Sequence, residues 1–543
     1  MSVLLLYPNR PRLTFGFMPG PYGLELLRHR LEAAGIESLI LNPYLYDDPR
    51  AVLHEELTGQ VTLVGLSVRN IDDALILSDG SGQDGTPQTV SAIDDVAQVL
   101  EWCREIAPSV PVVLGGAAVM HLPSVWSSQF GIPDRVVVEN EHAFLERALA
   151  MSGGTGDGKP TPRTMTQPVR VRREQIYFRF RADAAVRSYA GCPLSCAHCV
   201  EHIGTRAVHR NAVEDVAEEV AFLGRSYPKL RRVFLADSEV NLVGETRTRA
   251  IIAAIRARPE AERLALTGYF NPRPLSRDLL SFLMQSRVHL SLTVDHVSDA
   301  VLARNGKNFR RHHLDELVSH YRDLGATLSF CLLLGQPGET RETVDDVLRF
   351  VDAIPDRICG KIYVSPGVRV YPETPLALGL ANGTLDRRWL HGMEGLGNSR
   401  TPAPVYCESW GSQELLRYVT ERSDGRIAPM NSYLAEMGQG TVAEARQSFE
   451  DFHVGLAEAA RGKTVTARKR WKRIPADAPF LNGPQRREFL WQRGLLALQQ
   501  EAPDEALCDW SALQRDLKAQ NATGPGMQRL QHNIGLAQHL ARV

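Results

Sequence analysis

Gly191-Cys192-Pro193-Leu194-Ser195-Cys196-Ala197-His198-Cys199-Val200 puts three cysteines in one short stretch with the spacing C-x3-C-x2-C. Three thiolates this close hold three irons of a four-iron cluster and leave the fourth iron open to another ligand. A vacant position at iron points to chemistry rather than to electron carriage alone. The alternative is structural zinc, which takes four ligands in paired spacings. No second C-x2-C occurs, and His198 lies between two of the cysteines, where reaching the same ion is awkward. The chain has eight cysteines in 543 residues, and the other five (Cys103, Cys331, Cys359, Cys407, Cys508) are scattered. Scattered thiols and an oxygen-sensitive cluster both suit a reducing, cytoplasmic location.

Working outward, the pattern from Ala184 to about Leu380 alternates strand and helix. Arg232–Ala236, Leu264–Gly268, Val288–Val294, Thr327–Leu334 and Lys361–Val364 read as strands. Val213–Ser226, Glu245–Arg256, Arg277–Gln285, Leu314–Leu324 and Thr343–Ala353 read as the helices between them. Repeated βα units of this length predict a partial parallel barrel, (β/α)6, spanning about 181–385, with active residues at the carboxyl-end rim. Residues 1–150 alternate in the same way, and Val3–Tyr7, Ser38–Leu41, Val61–Val68, Val110–Leu114 and Arg135–Val138 read as buried strands of a Rossmann-like, doubly wound sheet. Its ligands would lie beyond the carboxyl ends of the strands, against the loops Asn9–Tyr22, Arg69–Thr89 and Gly115–Val125. Residues 151–180 read as a linker and 386–543 as a mainly helical domain, so the fold class is α/β with a helical C-terminal part.

The formal net charge of −1 favours neither nucleic acid nor an anionic membrane. No apolar run reaches membrane-spanning length, and the start reads as a first strand rather than a signal peptide. Arg468, Lys469, Arg470, Lys472 and Arg473 around Trp471 are read as a solvated helix face in preference to a nucleic-acid patch.

At Cys192–Cys199 the chain resembles the radical S-adenosylmethionine (SAM) superfamily. Phe234-Leu-Ala-Asp-Ser-Glu-Val-Asn241 resembles the segment that contacts the methionine end of SAM, and Leu290–Lys307 the fourth-strand segment. Gly335-Gln-Pro-Gly-Glu-Thr340 follows a strand as the family's G-x-P-G-E-T does, and Val370-Tyr-Pro-Glu-Thr-Pro375 resembles its Y-P-x-T-P. Val112–Pro123, with Gly115 and Gly116, and then Val136–Leu145 are similar to the cobalamin-binding domain that precedes many of these barrels. A glycine pair lets the backbone approach a large flat cofactor. The resemblance covers residues 1 to about 380. It departs from the pattern in three places: D-x-H-x-x-G is absent, Val138-Glu-Asn-Glu141 replaces G-E-G-E, and Glu239 stands where an Asp or Asn is more usual.

The resemblance implies three cofactors: a [4Fe-4S] cluster on Cys192, Cys196 and Cys199, SAM, and cobalamin bound without a protein histidine on cobalt. It implies that Asp237, Ser238 and Asn241 hold SAM, with Asp295 and Lys307 as further candidates, while Gly335, Pro337 and Gly338 shape a turn near the adenine. An ordinary strand-end cap is the alternative for Asp295. Arg69 and Asn70 follow the third strand, at the rim where the corrin would lie. Arg69, which offers no lone pair to cobalt, would either discourage ligation from below or bind a phosphate or tail. Glu239 would either border the open iron, leaving radical chemistry, or ligate it and turn the chemistry polar, as expected for an enzyme like tryptophan 2-C-methyltransferase. His296, Tyr363, Arg369 and Tyr371 are candidate lining groups.

The implied activity is methyl transfer from SAM through methylcobalamin to a carbon of a small-molecule or amino-acid-derived substrate, in natural-product biosynthesis. An external electron donor of flavodoxin or ferredoxin type is implied as partner. A cobalamin-dependent ring closure, contraction or rearrangement is the competing activity. A tRNA-modifying methylthiotransferase would need a second cysteine trio in a first domain that here has only Cys103. A non-catalytic iron–sulfur or cobalamin-sensing module is the remaining alternative.

Overall fold

The computed structural model describes residues 2–10, 21–68, 93–121, 141–151, 184–204, 207–228, 230–391, 404–430, 442–478, 481, 483–520 and 525–542. Its strands in chain order begin with β1 (Ser2–Leu6), β2 (Glu37–Leu41), β3 (Val61–Ser67) and β4 (Val112–Gly115). These form an all-parallel sheet in the order β2-β1-β3-β4. The order reverses at β1/β3, and a crevice opens beyond the carboxyl ends at such a switch point. The strand read at Arg135–Val138 lies outside the described residues.

β1 is apolar throughout because it is buried on both faces. Leu4 and Leu6 face one core, shared with Val52, Leu53, Val99 and Leu100 of the neighbouring helices Pro49–Leu57 and Ile93–Ile106. Val3, Leu5 and Tyr7 face another, shared with helix Tyr22–Ala33 and, from the far end of the chain, with Phe449, Phe452, Trp471 and Phe489. The C-terminal helices Val442–Ala460, Thr464–Trp471 and Gly483–Gln499 therefore roof the N-terminal sheet. The last two helices, Pro503–Ala519 and Pro525–Leu540, pack with Leu490 and Ala497 in a core that has no N-terminal member among the described residues.

The central strands are β5 (Ala184–Val186), β6 (Tyr189–Ala190), β7 (His209–Arg210), β8 (Arg232–Leu235), β9 (Ala265–Phe270), β10 (Val288–Asp295), β11 (Leu328–Leu334) and β12 (Cys359–Pro366). Beyond them come β13 (Val368–Arg369), β14 (Leu390–His391), β15 (Val405–Tyr406) and β16 (Ile427–Pro429). Seven of these form a parallel sheet in the order β16-β12-β11-β10-β9-β8-β5. Its helix-covered core runs from Ala184 to Ile427. The seventh strand, β16, comes from the stretch read as helical and pairs Ile362 with Ile427 and Val364 with Pro429. Three residues ending in proline carry almost no periodic signal, and proline is tolerated there because β16 is an edge. β6 and β7 make a separate antiparallel ribbon, and the cysteine loop lies between them in sequence.

Candidate active site

Two elements bring the cysteine loop and the Gly115–Gly116 turn together. Short helices follow both: Ala117–His121 after the glycines, and Glu201–Gly204 after Cys199. These helices touch. Val200, next to the last cysteine, and Tyr371, 9% exposed, pack with Val68, Ala118 and Val119 of the N-terminal sheet. Gly116 is required by its own backbone: φ is 104°, and a Cβ there would lie 2.5 Å from the Val68 carbonyl oxygen. Val68 N–H donates to the Gly115 oxygen at 2.8 Å, and Ala118 N–H donates to the Val68 oxygen at 3.1 Å. The carboxyl ends of β3 and β4 are thereby fixed against the cysteine loop. Arg69 and Asn70, which come next in the chain, lie outside the described residues.

The loop is clamped from below. Ala197 N–H donates to the Asn305 oxygen at 3.1 Å, Leu376 N–H donates to the Ala197 oxygen at 2.9 Å, and Cys199 N–H donates to the Cys196 oxygen at 3.1 Å. Asn305 Nδ2 donates in turn to the Pro337 oxygen at 2.9 Å. Cys192 and Cys196 are buried and Cys199 is half-buried. Burial pushes all three thiols up, Cys199 to about 12. Buried thiols of this kind stay protonated unless a cation holds the thiolates, and coordinated iron is such a cation. Among the described residues no three His, Cys, Asp or Glu side chains are arranged to hold one metal ion. A cluster spreads its thiolates over separate irons, so this tripod fits a cluster better than zinc.

Three acidic or basic groups border the tripod. Lys307 pairs with Asp295, their side chains 8% and 12% exposed, and hydrogen-bonds Cys196. Burial alone would neutralise both. Their mutual attraction wins, so Lys307 lies above its ordinary range and Asp295 below it. Asp295 is more than a strand-end cap. It has φ 59° and follows a register shift between Thr293 and Asp295 in the β10–β11 pairing. An irregularity of this kind re-aims a side chain.

Glu239 is 9% exposed and adds negative potential at Cys192 and Cys196. Its Oε2 accepts from Asn271 Nδ2 at 2.7 Å, and its Oε1 accepts from the Thr293 hydroxyl. Burial raises its pKa, with Lys307, Thr293 and Asn271 opposing. Tyr189, just before the cysteine loop, locks the same backbone: its hydroxyl donates to the Glu239 oxygen at 2.6 Å and accepts from Glu239 N–H at 3.1 Å. Thr293, Asn271 and Tyr189 were not singled out in the sequence. Thr293 lies within the quoted fourth-strand segment and Asn271 directly after β9, but neither residue type carries a signal of its own.

Two residues read as SAM holders are spent on the protein. The Asp237 carboxylate accepts from Ser188 N–H at 2.7 Å, Ser188 Oγ at 2.5 Å and Tyr189 N–H at 3.1 Å. Asn241 donates to the Asn271 oxygen at 2.8 Å and the Pro274 oxygen at 2.6 Å, and accepts from Asn271 N–H at 2.9 Å. Both act as braces, because a buried polar group must satisfy its hydrogen bonds and these have done so internally. Ser238 stays half-buried beside Gly191, its hydroxyl 3.5 Å from that carbonyl. Gly335 and Gly338 shape the turn after β11. Gly335 N–H donates to Glu339 Oε1 at 2.8 Å and Gly338 N–H to Glu408 Oε2 at 2.9 Å.

The lining candidates divide. Tyr363 is half-buried and sits beside Cys331 in the β11–β12 register. Arg369 lies over the Tyr371 ring at 5.1 Å. His296 is buried and faces Glu339 at 3.4 Å. Ser298 N–H donates to its Nδ1 at 3.0 Å, so the ring proton is on Nε2. The basic cluster 468–473 is ion-paired: Arg470 with Asp451 at 2.7 Å and Asp47 at 2.5 Å, and Arg468 and Lys472 with Glu505 at 2.8 Å each. Trp471 is buried among them.

Several known proteins are similar to this chain. Residues 186–351 match the family described as "Radical SAM superfamily". A curated relative, the ribosomal protein uS12 methylthiotransferase RimO of Porphyromonas gingivalis, is 28% identical over 180 residues, 32% of this chain and 41% of that protein's length. The tryptophan 2-C-methyltransferase of Streptomyces laurentii is 23% identical over 480 residues, 72% of this chain and 76% of that protein. Among solved structures, the radical SAM methyltransferase TsrM of Kitasatospora setae, with cobalamin and a [4Fe-4S] cluster bound, superposes with a TM-score of 0.63 at 20% identity, covering 87% of this chain and 99% of that one. Among the described residues no helix is long and apolar enough to cross a membrane. Residues 186–351 are therefore similar to the radical SAM superfamily, and the fold of the chain is that of TsrM.

Proposed function

We propose that the protein is a cobalamin-dependent radical SAM methyltransferase acting on a carbon of a small-molecule or amino-acid-derived substrate. When bound, the cluster supplies an electron at SAM and cobalamin supplies a methyl carrier. The chain's own residues position these parts. The Asn305 and Leu376 backbones fix the cysteine loop, Asp237 and Tyr189 fix the strand entering it, and Lys307 with Asp295 puts a charged pair where the zwitterionic end of SAM would lie. The observation that supports the reading most is the contact between the helix after Gly115–Gly116 and the helix after Cys199. It turns the two cofactor regions toward one another. Arg69 and Asn70 remain proposed for the corrin side.

The test is anaerobic reconstitution with iron, sulfide and cobalamin, then mass spectrometry of SAM products with candidate amino acids, peptides and small metabolites. S-adenosylhomocysteine together with a product heavier by one methylene unit is the expected result. A changed skeleton without S-adenosylhomocysteine would favour the ring-forming or rearranging alternative.

Glu239 supports a second reading of the same site. Its buried carboxylate borders Cys192 and Cys196, held by Thr293 and Asn271. Released from Thr293, one oxygen would be free to ligate the open iron, leaving a polar methyl transfer. The neighbouring TsrM structure is also known with tryptophan and a SAM analogue bound. Stoichiometric 5′-deoxyadenosine per turnover would exclude this second reading.

A further inference from the structure

Two elements flank the cysteine loop in sequence. After it, Val200 and helix Glu201–Gly204 pack toward the N-terminal sheet, where the proposed function puts corrin and substrate. Before it begins the β6/β7 ribbon, pairing Tyr189 with Arg210 and Ala190 with His209. Cys192 is two residues beyond Ala190, so this ribbon is a short route from solvent to the tripod.

The outer side of the ribbon is basic. Arg187, His209 and Arg210 are exposed, and Arg247 stands half-buried beside them. Among the described residues none of the three arginines has an ion-pair partner. The Arg210 charge adds to burial in lowering the pKa of Arg247, so these two guanidiniums lie close enough to repel. Arg247 has a buried Nε without a partner, and its Nη2 reaches the Asn211 oxygen. Of the nearby acids, Asp237 attracts Arg187 and Arg247 through space but ion-pairs with neither. Its carboxylate is consumed by Ser188 and Tyr189, and Glu214 and Asp215, in the first turn of the helix after the ribbon, form no ion pair with the arginines. Elsewhere the same chain pairs its arginines closely, as at Arg468, Arg470 and Arg493. Like charges held together without counterions cost stability, and a complementary surface recovers that cost on binding.

We propose that Arg187, Arg210 and Arg247 form the docking surface for an acidic one-electron carrier protein of the flavodoxin or ferredoxin class. The assignment rests on the cluster reading above. In the docked state the carrier is oxidised by one electron and the cluster is reduced by one, with no bond made or broken. A substrate anion fits this surface less well, since Arg187 and Arg210 are exposed and a small-molecule site buries most of its ligand. A protein partner engages an exposed ribbon edge, and charge governs its rate of encounter.

The experiment uses the full chain with its cluster reconstituted, in wild-type form, as R187E/R210E and as R187Q/R210Q. A reduced bacterial flavodoxin and dithionite serve separately as reductants, and the reduced cluster is followed by electron paramagnetic resonance. We expect flavodoxin-driven reduction to fall at least about tenfold in the charge-reversed variant, less in the glutamine variant, and in the wild type with rising salt. Dithionite-driven reduction and iron content should stay unchanged in all three. A wild-type flavodoxin rate indifferent to salt, or a charge-reversed variant as fast as wild type, overturns the assignment. So does transfer RNA bound by the wild type and lost in R187E/R210E with flavodoxin reduction intact, which would make the patch a nucleic-acid surface. If no reducible cluster forms in the wild type, the cluster reading itself fails, and the docking assignment with it.

Discussion

The two parallel sheets of this chain are built by opposite strategies. The central sheet takes its cover from its own βα units, and its core runs unbroken from Ala184 to Ile427. The N-terminal sheet covers one face locally and leaves the other to Phe449, Phe452, Trp471 and Phe489, about 300 residues away from the end of its last described helix at Met151. A local cover can be read from periodicity, whereas a remote one cannot. The difference also assigns the C-terminal helices a job. They roof the proposed corrin-binding sheet, and among the described residues none of these helices belongs to the central core.

The largest effect should come from removing that roof. Trp471→Ala deletes a buried indole whose Nε1 donates to the Phe452 oxygen at 3.1 Å. A loss of about 3–5 kcal/mol is expected. Limited proteolysis should then cut within residues 1–150 first and leave 184–430 resistant. Simultaneous loss of both regions would dissolve the contrast between them.

Asp237→Asn should cost roughly 1–3 kcal/mol, because the amide oxygen can keep the Ser188 and Tyr189 N–H groups that share Oδ1, while the amide NH2 replaces the oxygen that accepts from the buried Ser188 hydroxyl. The cost should appear as lower iron content after reconstitution, with the KM for SAM unchanged in the fraction that carries iron. A raised KM for SAM at full iron content would restore Asp237 as a SAM holder.

The most gradual effect is set by pH. A buried histidine in each region is kept neutral: His453 in the roof, lowered by burial to about 3, and His296 in the barrel, lowered to about 4, as His198 beside the cysteines also is. The unfolded chain takes up these protons as pH falls below about 6.5, while the fold refuses them. Stability should therefore fall as pH drops from 6.5 toward 4, by about 2 kcal/mol per group at pH 5. His453→Phe, between Phe449 and Phe452, should flatten this fall for the N-terminal unit alone. An unaltered acid profile would show that His453 is protonated in the fold.

What the sequence carried follows the same division. The cysteine spacing, the βα alternation and the Gly115–Gly116 pair were legible because each is a local pattern with its own chemistry. Three things were not. β16 is too short to show periodicity, and a proline ends it. Asp237 and Asn241 look like ligand-binding polar residues until the structure gives their hydrogen-bond partners, Ser188 and Asn271, which lie tens of residues away. The basic run around Trp471 reads as solvated, yet Asp47 and Asp451 meet Arg470 only after the C-terminal helices fold back over the first sheet.

The central claim is that the thiolate tripod and the corrin crevice face each other across the contact made by Val200 and helix Ala117–His121. Electron paramagnetic resonance of cobalt(II) in protein loaded with both cofactors reads this most directly. Reducing the cluster should broaden the cobalt signal and speed its relaxation through magnetic coupling between neighbouring centres. A cobalt spectrum and relaxation rate unmoved by cluster reduction, with both cofactors bound, would contradict the account.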